Sequence, residues 1–159
     1  MLAQCPCPRL ALELGCGDRV ETASYLARVC PSARLVSLDI DLSALRTASR
    51  TSSQPSGSIL VQGDITRLPL RTHFDLIIVR HPDLDRHPAD WEQALTATPD
   101  WLTTQGILLI TLYSIAEVEQ VRRWVSPLPF APMTFAEDLL AAPGLSGRDR
   151  FFLCYRDLL

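Results

Sequence analysis

The sequence predicts a doubly wound α/β domain: seven strands, mostly parallel, with helices on both faces. Three observations carry this. Short apolar runs alternate with segments whose apolar residues recur at helical spacing, the pattern of strands joined by helical crossovers. Glycines and acids stand where the first three runs end, at Gly15, Asp39 and Asp64, and such sheets bind ligands beyond the carboxyl ends of their strands. The chain has 159 residues, 47% of them hydrophobic, which suits a single domain over 1–159 with a core of its own.

The elements follow in order. RLALELG is the first, buried strand, ended by Gly15. Val20, Ala23, Leu26 or Ala27, and Cys30 then recur at helical spacing until Pro31 closes the helix. RLVSLDI is the second strand, and Asp41 is a natural N-cap for a helix over 42–50. TSSQPSGS is a loop, ILVQGD the third strand, TRLPLRTH a loop and FDLIIVR the fourth strand. The turn-rich HPDLDRHP leads into a helix over 89–97 with Trp91 and Leu95 on one face. GILLITLY is the fifth strand, followed by a helix over 115–124. SPLPFAPMTF carries three prolines, so a strand there lies at an edge. RFFLCYR is the final strand, and residues 1–8 are a short N-terminal extension.

Composition removes several chemistries. The net charge is −3, so no basic footprint points to nucleic acid. All fifteen basic residues are Arg, which excludes a Walker-type phosphate loop and a Schiff-base lysine. No Asn is present either. The first residues lack a basic and an apolar signal region, and no apolar run spans a membrane. With five Cys and no such signal, the reading is reduced thiols in a cytoplasm.

The chemistry concentrates at LELGCGDR. A dinucleotide turn of the form G-x-G-x-x-G would need glycine at Val20. The helix start instead carries Asp18, and the strand carries Glu13 two residues before Gly15. Both acids would repel a pyrophosphate. A cofactor with a sulfonium and an ammonium but no phosphate reverses the objection. Gly15 and Gly17 would still allow the backbone close to the ligand. Asp39 lies 22 residues after Gly17, near the spacing of a carboxylate that accepts from ribose hydroxyls. Asp64 could accept from an adenine amino group, with Ile40 and Ile65 against the ring.

At this point the chain resembles the class I S-adenosylmethionine-dependent methyltransferases, small bacterial members included. LELGCG, LVSLDID, GDITRLPL, FDLIIVRH and LTTQGILLITLY stand in the family's order, and GRDRFFLCYR looks like its closing strand. The resemblance implies a Rossmann-like sheet with an antiparallel final strand. It implies that Glu13, Gly15, Cys16 and Gly17 line the methionine end of the cofactor. Asp39 would bind the ribose, Ile40 would lie beside the adenine, and Asp64 and Ile65 would bind the adenine. Arg80 and His81 would stand beside the sulfonium, at the mouth of the substrate pocket. S-adenosylhomocysteine would be the product. The chain departs from the family at Arg19, where a further glycine is common. It also has Arg80-His81-Pro82-Asp83 where amide and adenine methylases carry Asn-Pro-Pro-Tyr. A short N-terminus leaves the pocket open or covered by another subunit, so a homodimer is an expectation.

Other readings stand beside these. Asp39 could cap its strand and Asp64 could be an ordinary loop acid. His81 is the candidate general base, although methyl transfer does not demand one. Cys16 reads as a small tolerated side chain. His81, Asp83, Asp85 and His87 alternate and would share one face of an extended segment, as metal ligands could; a polar loop is the plainer reading, and no metal is expected. Cys5 and Cys7 could pair, but a loose terminus is simpler. The function expected is methyl transfer to an acceptor, most simply a small molecule, with no nucleic acid and no membrane. The alternatives are a non-catalytic cofactor-binding module of the same fold and a nicotinamide-dependent oxidoreductase.

Overall fold

The computed structural model describes residues 7–19, 21–51, 57–133 and 151–158. Cys5, Val20 and most of the TSSQPSGS loop lie outside them. Within them the elements are β1 (Leu10–Leu14), α1 (Glu21–Val29), β2 (Arg34–Asp39), α2 (Leu42–Thr51), β3 (Ser58–Gln62), β4 (Phe74–Arg80), α3 (Pro88–Thr96), β5 (Leu102–Leu112), α4 (Ile115–Val125), β6 (Phe130–Pro132) and β7 (Phe151–Asp157). The sheet runs in the order β3-β2-β1-β4-β5-β7-β6. The strands from β3 to β5 pair in parallel. β7 runs antiparallel to both of its neighbours. This is the doubly wound sheet the sequence predicts. The chain reverses direction across the sheet between β1 and β4, so their carboxyl ends form the switch point where such folds bind ligands.

The two-residue period of the strands divides the core into two layers. Leu12, Leu14, Ile77, Val79 and Leu108 face the layer that holds Trp91 and Leu95 of α3 and Val118 and Val121 of α4. Ala11, Leu76, Ile78 and Leu109 face Ala23 and Leu26 of α1 and Cys30 just after it. Glu13 falls by the same period on the α1 side of β1, and there it is buried. One strand position thus sends a carboxyl into an apolar layer, and only local polar partners make that tolerable.

Two sequence expectations change here. β5 starts at Leu102 rather than at Gly106. Gln105 adopts φ 65 and the register with β4 slips between Phe74↔Leu102 and Leu76↔Ile107, a bulge that turns the strand inward. A Cβ on Gly106 would stand 2.7 Å from the Thr103 carbonyl oxygen, so that glycine lies inside the strand as a kink and is not its start. Second, Cys7 is joined to Cys30 in a disulfide, with Cα atoms 5.5 Å apart, while Cys16 and Cys154 form no disulfide among the described residues. The expectation of reduced thiols throughout, and of an unattached segment at Cys7, is therefore corrected. Cys30 ends the buried face of α1, and the approach to β1 brings Cys7 over it, a contact 23 residues apart in sequence. HPDLDRH forms the turn-rich polar segment that the sequence predicts, and not the extended alternative. Leu84 is buried as the anchor of a turn in which the Leu84 N–H donates to the Pro82 carbonyl and the His87 N–H to the Asp83 carbonyl. Its polar groups are used locally: Asp83 accepts from the Arg86 N–H, and His87 stands 3.4 Å from Asp90. Among the described residues no group of three or more His, Cys, Asp or Glu side chains could hold a metal. Nor, among them, is any helix long and apolar enough to cross a membrane.

Candidate functional site

β1 ends in Gly15 at φ 68 and Gly17 at φ 63, left-handed conformations that side chains rarely adopt. The N–H groups of Gly15 and Cys16 both donate to the Leu38 carbonyl, at 2.8 and 3.0 Å, which hooks the turn onto β2. The Gly17 N–H donates to Asp39 Oδ2 at 2.6 Å, and the Asp41 N–H to Asp39 Oδ1 at 2.9 Å. Asp39 therefore braces the turn as well as ending β2. An ionised carboxylate offers about four acceptor directions, so it keeps capacity for ribose hydroxyls. Asp41 caps α2, accepting from the Ser43 N–H at 2.7 Å. Below the turn, a Cβ on Gly15 would meet the Trp91 ring at 2.9 Å. At Gly17 a Cβ would meet nothing within 4 Å, so bare backbone there faces open space.

That space is a cavity of about 170 Å³. Gly15, Cys16 and Gly17 form one side, and Arg80, His81 and Tyr113 form another. Glu13 lies at its base with both oxygens engaged: Oε1 accepts from the Thr22 hydroxyl, and Oε2 accepts from the Ser37 hydroxyl at 2.8 Å. Burial pushes the Glu13 carboxyl above its ordinary pKa, against the pull of the two hydroxyls and of Arg80. Burial, with Glu13 and Asp39 nearby, pushes the Cys16 thiol up to about 12. It stays protonated at neutral pH and is a poor nucleophile, in keeping with the plain reading of that position. Arg80 is held away from an open role, with Nη2 3.0 Å from Glu21 Oε2 and Nη1 donating to the Thr22 hydroxyl at 3.5 Å. Arg19 also pairs with Glu21, at 3.3 Å.

His81 adopts φ 49 and its N–H donates to the Thr111 carbonyl at 3.0 Å. Such a backbone costs about 1–3 kcal/mol and is found where a site needs it. The twist lays the imidazole against Tyr113, with ring centroids 3.9 Å apart and planes within 21°. His81 Nε2 is closed off from solvent. Tyr113 is placed in turn by Glu117, whose Oε2 accepts from the Tyr113 N–H at 2.7 Å within the capping box that starts α4.

The remaining expected residues stand apart. Ile40 is 67% exposed beyond β2. Ile65 packs on the core from the loop after β3. Asp64 turns onto its own loop, accepting from the Thr66 hydroxyl at 2.7 Å and the Thr66 N–H at 2.8 Å. The hydroxyl first, then the N–H, hold its carboxyl below the ordinary range. Residues 13, 15, 16, 17, 80 and 81 thus share one cavity, with Asp39 behind it and Ile40, Asp64 and Ile65 to one side. Sequence reasoning missed Glu21, Thr22, Ser37 and Tyr113. Ser37 could have been noticed as a polar residue inside the apolar run LVSLD, and Tyr113 as the residue after the fifth strand.

The donor set decides what could fit. Carboxylates at 13, 18, 21 and 39 surround the turn, and the two guanidinium groups of the cavity are matched by Glu21. A pyrophosphate would meet net repulsion there. A ligand with a cationic end and ribose hydroxyls meets carboxylates and bare glycine backbone.

Comparison with known proteins agrees with that geometry. A family model described as a methyltransferase domain matches residues 11–106, more than half of the chain. The fold is shared with the N-methyltransferase NodS from Bradyrhizobium japonicum, at TM-score 0.72 and 17% identity over 98% of this chain and 89% of that one. It is shared with an rRNA methylase from Streptococcus thermophilus, at TM-score 0.71 and 19% identity over 99% and 92%. An amino pentose methyltransferase from Micromonospora echinaspora, solved with bound S-adenosylmethionine, aligns at TM-score 0.71 and 13% identity over 98% and 86%. NodS has also been solved with S-adenosylhomocysteine. No curated protein matches the sequence.

Proposed function

The chain belongs to the methyltransferase-domain family of S-adenosylmethionine-dependent enzymes, and from that premise we propose that it transfers the cofactor's methyl group to a small-molecule acceptor at the cavity between the β1 turn and the β4 and β5 ends. One observation carries the reading: the Gly15–Gly17 turn is hooked to β2 by Leu38 and Asp39 and presents open backbone at Gly17. Bound there, the cofactor supplies an electrophilic methyl on a sulfonium, which needs no further activation. The protein's part is placement. Asp39 would accept from the ribose hydroxyls. The backbone at 15–17 would carry the methionine end, with Glu13 holding β1, β2 and α1 together through Ser37 and Thr22 rather than contacting the ligand directly. Ile40, Asp64 and Ile65 would take the adenine. Arg80, tied to Glu21, would border the methionine end. His81 would orient the acceptor, and orientation alone supplies several orders of magnitude in such a displacement. The acids around the turn tell against the nicotinamide alternative.

The test is thermal unfolding with S-adenosylmethionine, S-adenosylhomocysteine and NAD in separate samples. A ligand at 100 times its Kd adds about 2.7 kcal/mol, a rise of very roughly 5–10 °C for a domain of this size. A rise with both S-adenosyl compounds and none with NAD is the expected result. No rise with either S-adenosyl compound would overturn the proposal.

A further inference from the structure

The geometry points to the acceptor's chemical class: a small planar aromatic molecule carrying a nucleophilic hydroxyl or amine, stacked on Tyr113. This inference rests on the methyl-transfer reading of the cavity.

Four features lead to it. His81 and Tyr113 both line the cavity and are stacked with planes within 21°, so the imidazole covers one face of the Tyr113 ring and leaves its other face for a ligand. That stack is prearranged from both sides. The left-handed backbone of His81 is pinned to β5 through the Thr111 carbonyl. The Tyr113 backbone is pinned to α4 through Glu117. These bonds fix the two backbones, and the stack holds the rings against each other, which lowers the entropic cost of ordering them when a ligand arrives. Tyr113 remains 42% exposed although it is a large aromatic, and Ile115 beside it is 63% exposed. A flat ring laid on that surface gains offset stacking that an aliphatic chain of equal size does not. The core is served by other residues, since Leu108, Ile110 and Leu112 of β5, the strand that Tyr113 follows, are buried.

Charge separates this class from RNA. Recognition of a nucleic acid needs cations that follow its phosphates. The cavity lining carries three carboxylates, Glu13, Asp18 and Glu21, against Arg19 and Arg80, and both arginines pair with Glu21. Asp83 and Asp85 add exposed acids just after His81. A neutral or cationic aromatic fits this rim better than a polyanion does.

In the transfer itself, a lone pair of the acceptor's oxygen or nitrogen forms the new bond to the methyl carbon. The carbon–sulfur bond breaks with its pair returning to sulfur as a neutral thioether, and the acceptor's proton leaves to water.

The test uses the whole chain saturated with S-adenosylhomocysteine and measures binding of p-cresol, indole, cyclohexanol and a ten-nucleotide single-stranded RNA by ligand-observed NMR and calorimetry. The expected result is that p-cresol and indole bind at least tenfold more tightly than cyclohexanol. Tyr113→Leu should lower their affinity at least tenfold, a larger loss than it causes in S-adenosylhomocysteine affinity, and Tyr113→Phe should retain it. Equal binding of p-cresol and cyclohexanol, no binding of either aromatic, unchanged aromatic affinity in Tyr113→Leu, or preferential binding of the RNA would each overturn the inference. The wild-type comparison decides the matter even if Tyr113→Leu fails to fold. Failure of S-adenosylhomocysteine itself to bind would instead bring down the methyl-transfer reading, and this inference with it.

Discussion

The turn after β1 and the loop after β3 hold equivalent places in the sheet. Each follows the carboxyl end of a parallel strand, and each carries residues that the sequence marks for the same cofactor. They are held in different ways. The anchors of the first come from far along the chain: Leu38 and Asp39 on β2, and Trp91 on α3. The second lies at the sheet's edge, and Asp64 satisfies itself on Thr66 two residues away, with Gln93 reaching over to the Thr66 carbonyl. A turn built from distant contacts exists only in the folded protein and is preorganised by it. A loop closed on itself can rearrange without disturbing the fold. The first region should therefore be intolerant of change and the second forgiving.

Trp91→Ala should show the largest effect. The ring is 7% exposed and fills the space under Gly15. Its removal should cost about 3–5 kcal/mol of unfolding free energy, measured by denaturant titration. The folded fraction of the variant should also bind S-adenosylhomocysteine more weakly, because the turn loses its floor, while Trp91→Phe should recover much of both. Full cofactor affinity in a destabilised Trp91→Ala protein would break the comparison, since the turn would then not depend on what lies beneath it.

Asp39→Ala comes next. The substitution removes a proposed ribose acceptor and frees the Gly17 N–H, so both consequences weaken binding. A loss of roughly 1.5–3 kcal/mol in S-adenosylmethionine affinity is expected by calorimetry, as for a charged hydrogen-bond partner. Unchanged affinity would remove Asp39 from the site.

Glu13 offers a pH dependence within the same region. Its folded-state pKa is raised by burial above the ordinary 4.5. The folded chain thus holds this proton more tightly than the unfolded one. Its contribution to stability is complete below the unfolded value and is lost as pH rises through the raised one. Glu13→Gln cannot ionise. The stability of the wild type relative to that variant should therefore decline as pH is raised above the ordinary carboxylate range. A flat difference would mean that the carboxyl does not sense its burial.

These two regions also show how far the sequence could be read. The strands were legible because buried parallel strands are short apolar runs, and FDLIIVR matches β4 residue for residue. The acids were legible because a carboxylate at the end of such a run has few structural excuses. What stayed hidden is whatever joins residues distant in sequence. The Cys7–Cys30 pair, the stack of His81 on Tyr113, and the hydroxyls of Thr22 and Ser37 on Glu13 are separated by 23, 32, 9 and 24 residues. No local pattern encodes them. Gly106 misled for the opposite reason. A glycine usually punctuates a strand, but here the clash that a Cβ would make with Thr103 places it inside a bulge.

The smallest effect should come from Asp64→Ala, and it is the sharpest test of the comparison. Asp64 is half-buried and its hydrogen bonds are local, so the fold should be little affected by its loss. Its proposed contact with the adenine competes with the Thr66 hydroxyl and N–H for the same carboxylate. The affinity for S-adenosylmethionine should then fall by no more than about threefold, well short of the loss at Asp39. Thr66→Val should shift affinity in the other direction if the carboxylate, relieved of the hydroxyl, turns toward the ligand. A loss at Asp64 equal to that at Asp39 would show that the β3 loop is as firmly committed to the cofactor as the β1 turn. In that case the hydrogen bonds to Thr66 would be what holds the carboxylate ready, and the two regions would differ in construction but not in function.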